Sequence, residues 1–260
     1  MYLNLVKMLI FSLKDYVLYI SIISIIWYYS ETVSSFIIKY KFSQFIIIEI
    51  IYWFFGLFCL LLDNFNVRYW KVAKKINKSI SDFDMLLIVI RNHIILGFFT
   101  YLYLDYYPPK KTNVSKGIMV FLLRVFVYYL LYDIIFYTGH IIMHHRYFYK
   151  MIHKQHHLTH ANIGISGYYM GVIDFFGEFI IPFFLPAYIL GNDPLIILTY
   201  GIIGNINGIL SHSGFNFPFM PYSKDHLIHH TEQKYNYGVF IMDYIFRTNK
   251  NSGHFKYQTG

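Results

Sequence analysis

Long apolar runs separated by short charged or proline-bearing segments set the pattern of this chain. Residues 16–29, 44–62, 84–104 and 118–138 are apolar stretches that approach or reach the roughly 20 residues a helix needs to cross a hydrocarbon core. The first follows Lys14 and Asp15 and lacks a small-residue cleavage pattern, so it reads as an uncleaved span with fraying ends. Residues 63–84 carry Arg68, Lys71, Lys74, Lys75 and Lys78, the excess that marks a cytoplasmic loop and puts the amino terminus on the same side if both upstream runs cross. Arg91, Asn92 and His93 interrupt the third run with groups that are costly to bury in lipid. Pro108 and Pro109 mark the next loop as non-helical and on the opposite side. That loop holds Asn113-Val114-Ser115, a glycosylation sequon if the side is luminal. The fourth run returns the chain to the cytoplasmic face and leads directly into His140.

Two further apolar runs, 168–190 and 194–210, are joined by the turn Gly191-Asn192-Asp193-Pro194. Glu178, Pro182 and Pro186 weaken the first as a clean span, which leaves two arrangements open: a hairpin that crosses twice, or an interfacial helix pair. The pattern predicts an all-α integral membrane protein with about four transmembrane helices plus this pair, and a cytoplasmic histidine-rich helical cap. The expected division is 1–83, amino-terminal spans and basic loop, and 84–260, the part that carries the chemistry.

Composition agrees with a membrane setting: 56% of residues are hydrophobic and 14% charged, against about 45–50% and about 25% in ordinary globular chains. The net charge of +8 suits anionic headgroups. It does not suit nucleic acid, because the charges sit in loops between apolar runs and form no basic face interleaved with stacking aromatics. The one cysteine, Cys59, makes no internal disulfide and leaves thiolate metal ligation aside.

The histidines add chemistry. Seven of thirteen lie between Asp133 and His160, as His140-x3-His144 and His153-x2-His156-His157, and His226-x2-His229-His230 follows downstream. Residues three and four apart share a helix face, so each spacing aims two or three imidazoles at one point. Neutral imidazole is the commonest protein ligand for zinc, iron and copper, and four would fill a tetrahedral zinc. At least eight patterned groups suggest a second ion.

Three ordered motif groups carry a resemblance. They are Asp133-x3-Tyr137-x2-His140-x3-His144-His145, then Tyr149-Lys150-x2-His153-Lys154-x-His156-His157, and, after His212-Ser213-Gly214-Phe215, His226-x2-His229-His230-x5-Asn236-Tyr237-Gly238-x4-Asp243-x4-Thr248. The series resembles the fatty acid hydroxylase and sterol desaturase superfamily of membrane-bound di-iron oxygenases, over roughly residues 85–250. Its pattern is more similar to the 4-methylsterol oxidases and sterol 25-hydroxylases than to ceramide fatty acid hydroxylases. The resemblance implies metal ligation by His140, His144, His153, His156, His157, His226, His229 and His230, with His212 a further candidate. It implies two iron ions, with zinc as a possible substitute. His145 points about 100° away from His144 and is expected beside the centre or exposed. His160 lies on the face of the preceding histidine pair but outside the family motif. Many sterol-acting relatives carry His-Pro-x-Glu where this chain reads Gly171-Val172-Ile173-Asp174, so one family histidine is missing. His160 or a water would be needed there, or the site is altered.

Cleavage of an unactivated C–H bond is work for oxygen reduced at a metal, not for acid and base side chains. Asp133, Asp225 and Asp243 are the nearest acidic groups to fix imidazole tautomers, with Asn236 as a further supporting residue. No Gly-x-Gly-x-x-Gly or Cys-x-x-Cys-His is visible. Electrons are therefore expected from a cytoplasmic donor, which the resemblance implies to be cytochrome b5 or a reductase drawing on NADPH, docked on Lys71–Lys78 or Lys150–Lys154 if these bind an acidic partner instead of lipid. The expected substrate is a sterol or related lipid dissolved in the bilayer, and the expected location an endoplasmic reticulum-like membrane with the centre facing the cytoplasm. A zinc hydrolase lacks its His-Glu-x-x-His, and a metal transporter would place ligands near the membrane midplane. A non-catalytic relative that keeps the metal is the remaining alternative.

Overall fold

A computed structural model describes residues 17–67, 69–72, 80–110, 117–159, 161–217 and 223–250. Among these the chain is helical, with no strand and one isolated antiparallel bridge between Lys71 and Phe215. The longer helices are α1 (Val17–Tyr28), α2 (Ser30–Lys39), α3 (Ser43–Asn64), α4 (Asp82–Tyr106) and α5 (Ile118–His144). After a turn-rich segment come α6 (Lys154–His157), a 3-10 turn (Gly164–Tyr168) and α7 (Val172–Phe175). A π turn (Phe176–Ile180) leads into α8 (Ile181–Leu190), followed by α9 (Pro194–Ser213), α10 (Ser223–Glu232) and α11 (Met242–Ile245).

Five stretches are long and apolar enough to cross a membrane: α3, α4, α5, Val172–Leu190 and α9. This is an integral membrane protein. The expected first span is shorter than a crossing needs: α1 has 12 residues and meets α2 at a bend of 76°, so the two together make a broken span or a re-entrant loop. Both arms of the 168–210 segment qualify as spans by length and composition. The glycosylation sequon, His160 and Lys74, Lys75 and Lys78 lie outside the described residues.

Local sequence explains the helix ends. Ser81 accepts a hydrogen bond from the Asp84 amide and starts α4. Asp193 accepts from the Leu195 and Ile196 amides with Pro194 at the first position of α9, and Gly214 in the left-handed conformation ends that helix. Arg124 on α5 binds the Asp193 carboxylate at 2.6 Å, which fixes the turn against the bundle.

Helix α9 is the axis of the bundle, with most of its residues buried, and α3, α5, α10 and the 3-10 turn pack around it. The outer helices instead show large side chains outward, among them Phe54, Ile94, Phe98 and Leu123, as helices surrounded by lipid do. Residues from both sides of position 83 share one hydrophobic core. The polar interruption of α4 faces inward: the Asn92 amide donates to the Tyr168 and Met170 carbonyls, and His93 pairs with Glu49 at 2.8 Å. The Asn92 contacts tie the end of the 3-10 turn to α4.

Candidate metal centre

Helix α5 carries His140 and His144 one turn apart at its end, and the chain then folds back so that His153, His156 and His157 face them. The end of α9 delivers His212, and α10 delivers His226, His229 and His230. All nine imidazoles meet, in two groups. His140, His144, His153, His157 and His229 form one; His156, His212, His226 and His230 form the other. Each group offers enough nitrogen donors for a metal ion.

Within the first group the Nε2 atoms of His140 and His153 lie 3.1 Å apart, those of His144 and His229 3.1 Å, and that of His157 3.2 Å from His144 and 3.0 Å from His153. In the second, His212 Nε2 is 3.1 Å from His156 and 2.9 Å from His226, which is 3.0 Å from His230. Nitrogen atoms this close together could bind one ion at about 2.1 Å each. The two groups adjoin, with the rings of His157 and His230 stacked at 4.4 Å.

The other ring nitrogens show why these contacts suit a cation. His140 Nδ1 donates to the Tyr237 carbonyl at 2.7 Å, His229 Nδ1 to that of Tyr235 at 2.8 Å, His212 Nδ1 to that of Gly208 at 2.8 Å, and His153 Nδ1 to the Asp174 carboxylate at 2.9 Å. With the hydrogen committed to Nδ1, each Nε2 presents a lone pair. His140 and His153 therefore aim two lone pairs at each other across 3.1 Å, which is repulsive without a positive charge between them. Protonation is not available as the remedy: burial, followed by the neighbouring imidazoles, holds His153, His156, His157, His226 and His230 well below the ordinary histidine range. Burial likewise lowers His229 to about 4, partly opposed by the Tyr235 carbonyl.

The supporting acids differ from the sequence expectation. Asp133 touches no histidine; its fully buried carboxylate accepts the amides of Val239, Phe240, Ile241 and Met242 at 2.7–3.2 Å. Asp243 accepts from the Tyr237 and Gly238 amides and the Thr248 hydroxyl. Gly238 is required here, since a Cβ would come within 2.9 Å of Asp133 and 3.1 Å of Asp243. Asn236 donates to the Asp225 and Lys250 carbonyls and accepts the Lys250 amide. Together Asp133, Asp243 and Asn236 hold the loop whose carbonyls at Tyr235 and Tyr237 orient His229 and His140. His145 is exposed and rests near Tyr147 and Phe148, away from both groups.

Two acids in contact with the centre were not anticipated as such. Asp174 binds His153, and a Glu178 carboxylate oxygen lies 3.4 Å from His140 Nε2 and 3.3 Å from His153 Nδ1. Both are buried, and Glu178 sits in the π turn, a distortion frequent at functional sites. Their signal in the sequence is Asp174-x3-Glu178, two acids one turn apart in an otherwise apolar run. A Cβ at Gly171 would meet Gln155 and Ile152 at an ordinary 3.7 Å and no histidine within 4 Å.

Residues 125–248 match the family model described as fatty acid hydroxylase. Among curated relatives, human fatty acid hydroxylase domain-containing protein 2 is 26% identical over 210 residues, 76% of this chain and 63% of the relative. Fatty acid hydroxylase ahd1 of Mycosarcoma maydis is 34% identical over 144 residues, 55% of this chain and 36% of the relative. Human cholesterol 25-hydroxylase is 28% identical over 116 residues, 43% of this chain and 41% of the relative. The chain thus spans less than two thirds of the length of these relatives. No solved structure matches it. The matched residues, 125–248, include all nine gathered histidines and the loop that orients them, so it is this part of the chain that is similar to the fatty acid hydroxylases and to sterol hydroxylases and desaturases.

Proposed function

We propose that this protein is a membrane-bound di-iron oxygenase that hydroxylates or desaturates a sterol or other bilayer-dissolved lipid. The observation that carries the proposal is the convergence of neutral imidazoles from four separate chain segments into two adjoining groups beside the ends of membrane spans. His140, His144, His153, His157 and His229 would hold one iron, and His156, His212, His226 and His230 the other. When bound, the irons supply what the side chains lack, the reduction of dioxygen and removal of hydrogen from an unactivated C–H bond.

The protein's own part is orientation and exclusion. The carbonyls of Tyr235, Tyr237 and Gly208 and the Asp174 carboxylate fix four imidazoles with Nε2 turned inward. Burial keeps the donors unprotonated and bulk water away. Glu178 places a carboxyl group beside His140, where a proton can be held. Hydroxylation of a C–H bond by dioxygen consumes two electrons and two protons and releases one water. The electrons would come from cytochrome b5 or an NADPH-linked reductase on the cytoplasmic face of an endoplasmic reticulum-like membrane, with the basic residues Lys150 and Lys154 near the centre available to an acidic donor.

The test is lipid mass spectrometry of host membranes with and without the protein, alongside iron analysis of the purified chain. A new oxygen-dependent product, absent when His156 and His157 are both changed to alanine, supports the reading. A product that survives the double substitution refutes it. Metal without oxygen-dependent turnover indicates a transporter or a non-catalytic relative.

A further inference from the structure

A second feature of the bundle lies away from the histidines. A partly open cavity runs at the depth of the spans between α4, α8 and α9, walled mostly by aromatic and aliphatic side chains such as Phe179, Phe183, Phe184 and Tyr200. Two polar atoms on its lining stand out: Tyr103 Oη and Asn192 Oδ1 are both buried, and neither has a hydrogen-bond partner among the described residues. An unpaired buried polar group is costly, and in a membrane bundle no solvent is present to offset it. The cavity wall is also bare on α9. A side chain added at Gly204, which lines the cavity, would meet nothing within 4 Å, and the same holds one turn on at Gly208, whose carbonyl bonds His212 Nδ1.

From these observations we infer that Tyr103 and Asn192 form a binding site for the hydroxyl group of an otherwise apolar lipid, the Tyr103 hydroxyl donating to the ligand oxygen and the Asn192 carbonyl oxygen accepting its hydrogen. The inference deepens the oxygenase reading and rests on it for the fate of the ligand. Tyr200, which lines the same cavity, precedes His212 by twelve residues on α9, about 18 Å at the rise of an α-helix. A lipid held by its hydroxyl at Tyr103 therefore lies with the opposite end of the molecule toward the histidines, and oxidation falls far from the hydroxyl. Sterols and long-chain alcohols both carry this chemistry.

The experiment uses the full chain in nanodiscs and reads binding. Cholesterol is compared with cholestene, and hexadecanol with hexadecane, for the wild type, Tyr103→Phe and Gly204→Leu. In the wild type one alcohol binds about tenfold more tightly than its hydrocarbon, the worth of a pair of buried hydrogen bonds, and that pair identifies the source. Tyr103→Phe reduces the ratio to threefold or less with metal content unchanged, and Gly204→Leu weakens alcohol and hydrocarbon together by filling the cavity. A wild type without preference for either alcohol, or a ratio that Tyr103→Phe leaves unaltered, overturns the assignment. Failure of the oxygenase reading looks different: no product forms, while the hydroxyl preference remains.

Discussion

His153 and Asp174 form a buried pair in which Nδ1 donates to the carboxylate at 2.9 Å, with both side chains shielded from solvent. The carboxylate fixes the tautomer and the ring plane, and it makes Nε2 a better donor to a cation. Asp174→Asn keeps the shape and removes the charge. We expect metal affinity to fall by about 10- to 100-fold, measured by competition with a chelator on the purified protein, and an unchanged affinity would show that the pair is only packing.

Neighbouring histidines at the end of α5 offer an internal control. His144 Nε2 lies 3.1 Å from His229 and belongs to the first group, whereas His145 is exposed. His144→Ala should lose metal from the purified chain. His145→Ala should retain the wild-type metal content and stability within about 0.5 kcal/mol, as surface changes do.

This contrast shows what the sequence made legible. The ligand residue types, their helical spacing and the apolar spans are all readable because periodicity is local. The division into two groups is not. His153 and His157 share one group with His156 in the other, and His226 and His230 share one with His229 in the other. On a helix a residue four positions on lies about 40° to one side and a residue three positions on about 60° to the other. A motif with both spacings therefore serves two pockets, one on each flank, where a single focus was expected. Asp133 and Asp243 were recognisable as important acids, but their amide partners lie in an irregular loop that no pattern announces. Glu178 was read as a flaw in a span because its use depends on the π turn.

Acid should destabilise the metal-free protein. His229 is lowered by burial from an ordinary 6.5 to about 4 in the folded state. Between these values the unfolded chain binds the extra proton, so stability rises with pH across this window. It is fully present above about 6.5 and is lost as pH falls toward 4. The other lowered histidines outside the spans act in the same direction. Thermal unfolding of the metal-free chain in detergent at pH 7.5 and at pH 5 checks this, and equal midpoints would contradict it.

Removing the Asp133 carboxylate strands four amides at once. Asp133→Ala should cost about 3 kcal/mol or more, given about 1–3 kcal/mol for each buried group left unsatisfied. The first group should loosen before the second, because the Tyr237 carbonyl that orients His140 travels with the freed loop. Calorimetry together with metal stoichiometry would register both effects.

Gly171 stands where the resemblance places a histidine, yet both groups are gathered without one. Its backbone is extended and a Cβ fits. Gly171→Ala should leave metal content unchanged, and a loss of metal would reveal a demand at this position that the geometry hides.

The grip of Asp133 on residues 239–242 also bears on how the protein is made. His140 leaves the ribosome well before Tyr237, so the first imidazoles must wait, already beside the bilayer, for the carbonyl that orients them. An ion held by these groups would find its receptacle finished only once translation has passed the last of these amides, and a chain stalled short of that point would carry histidines that nothing yet orients.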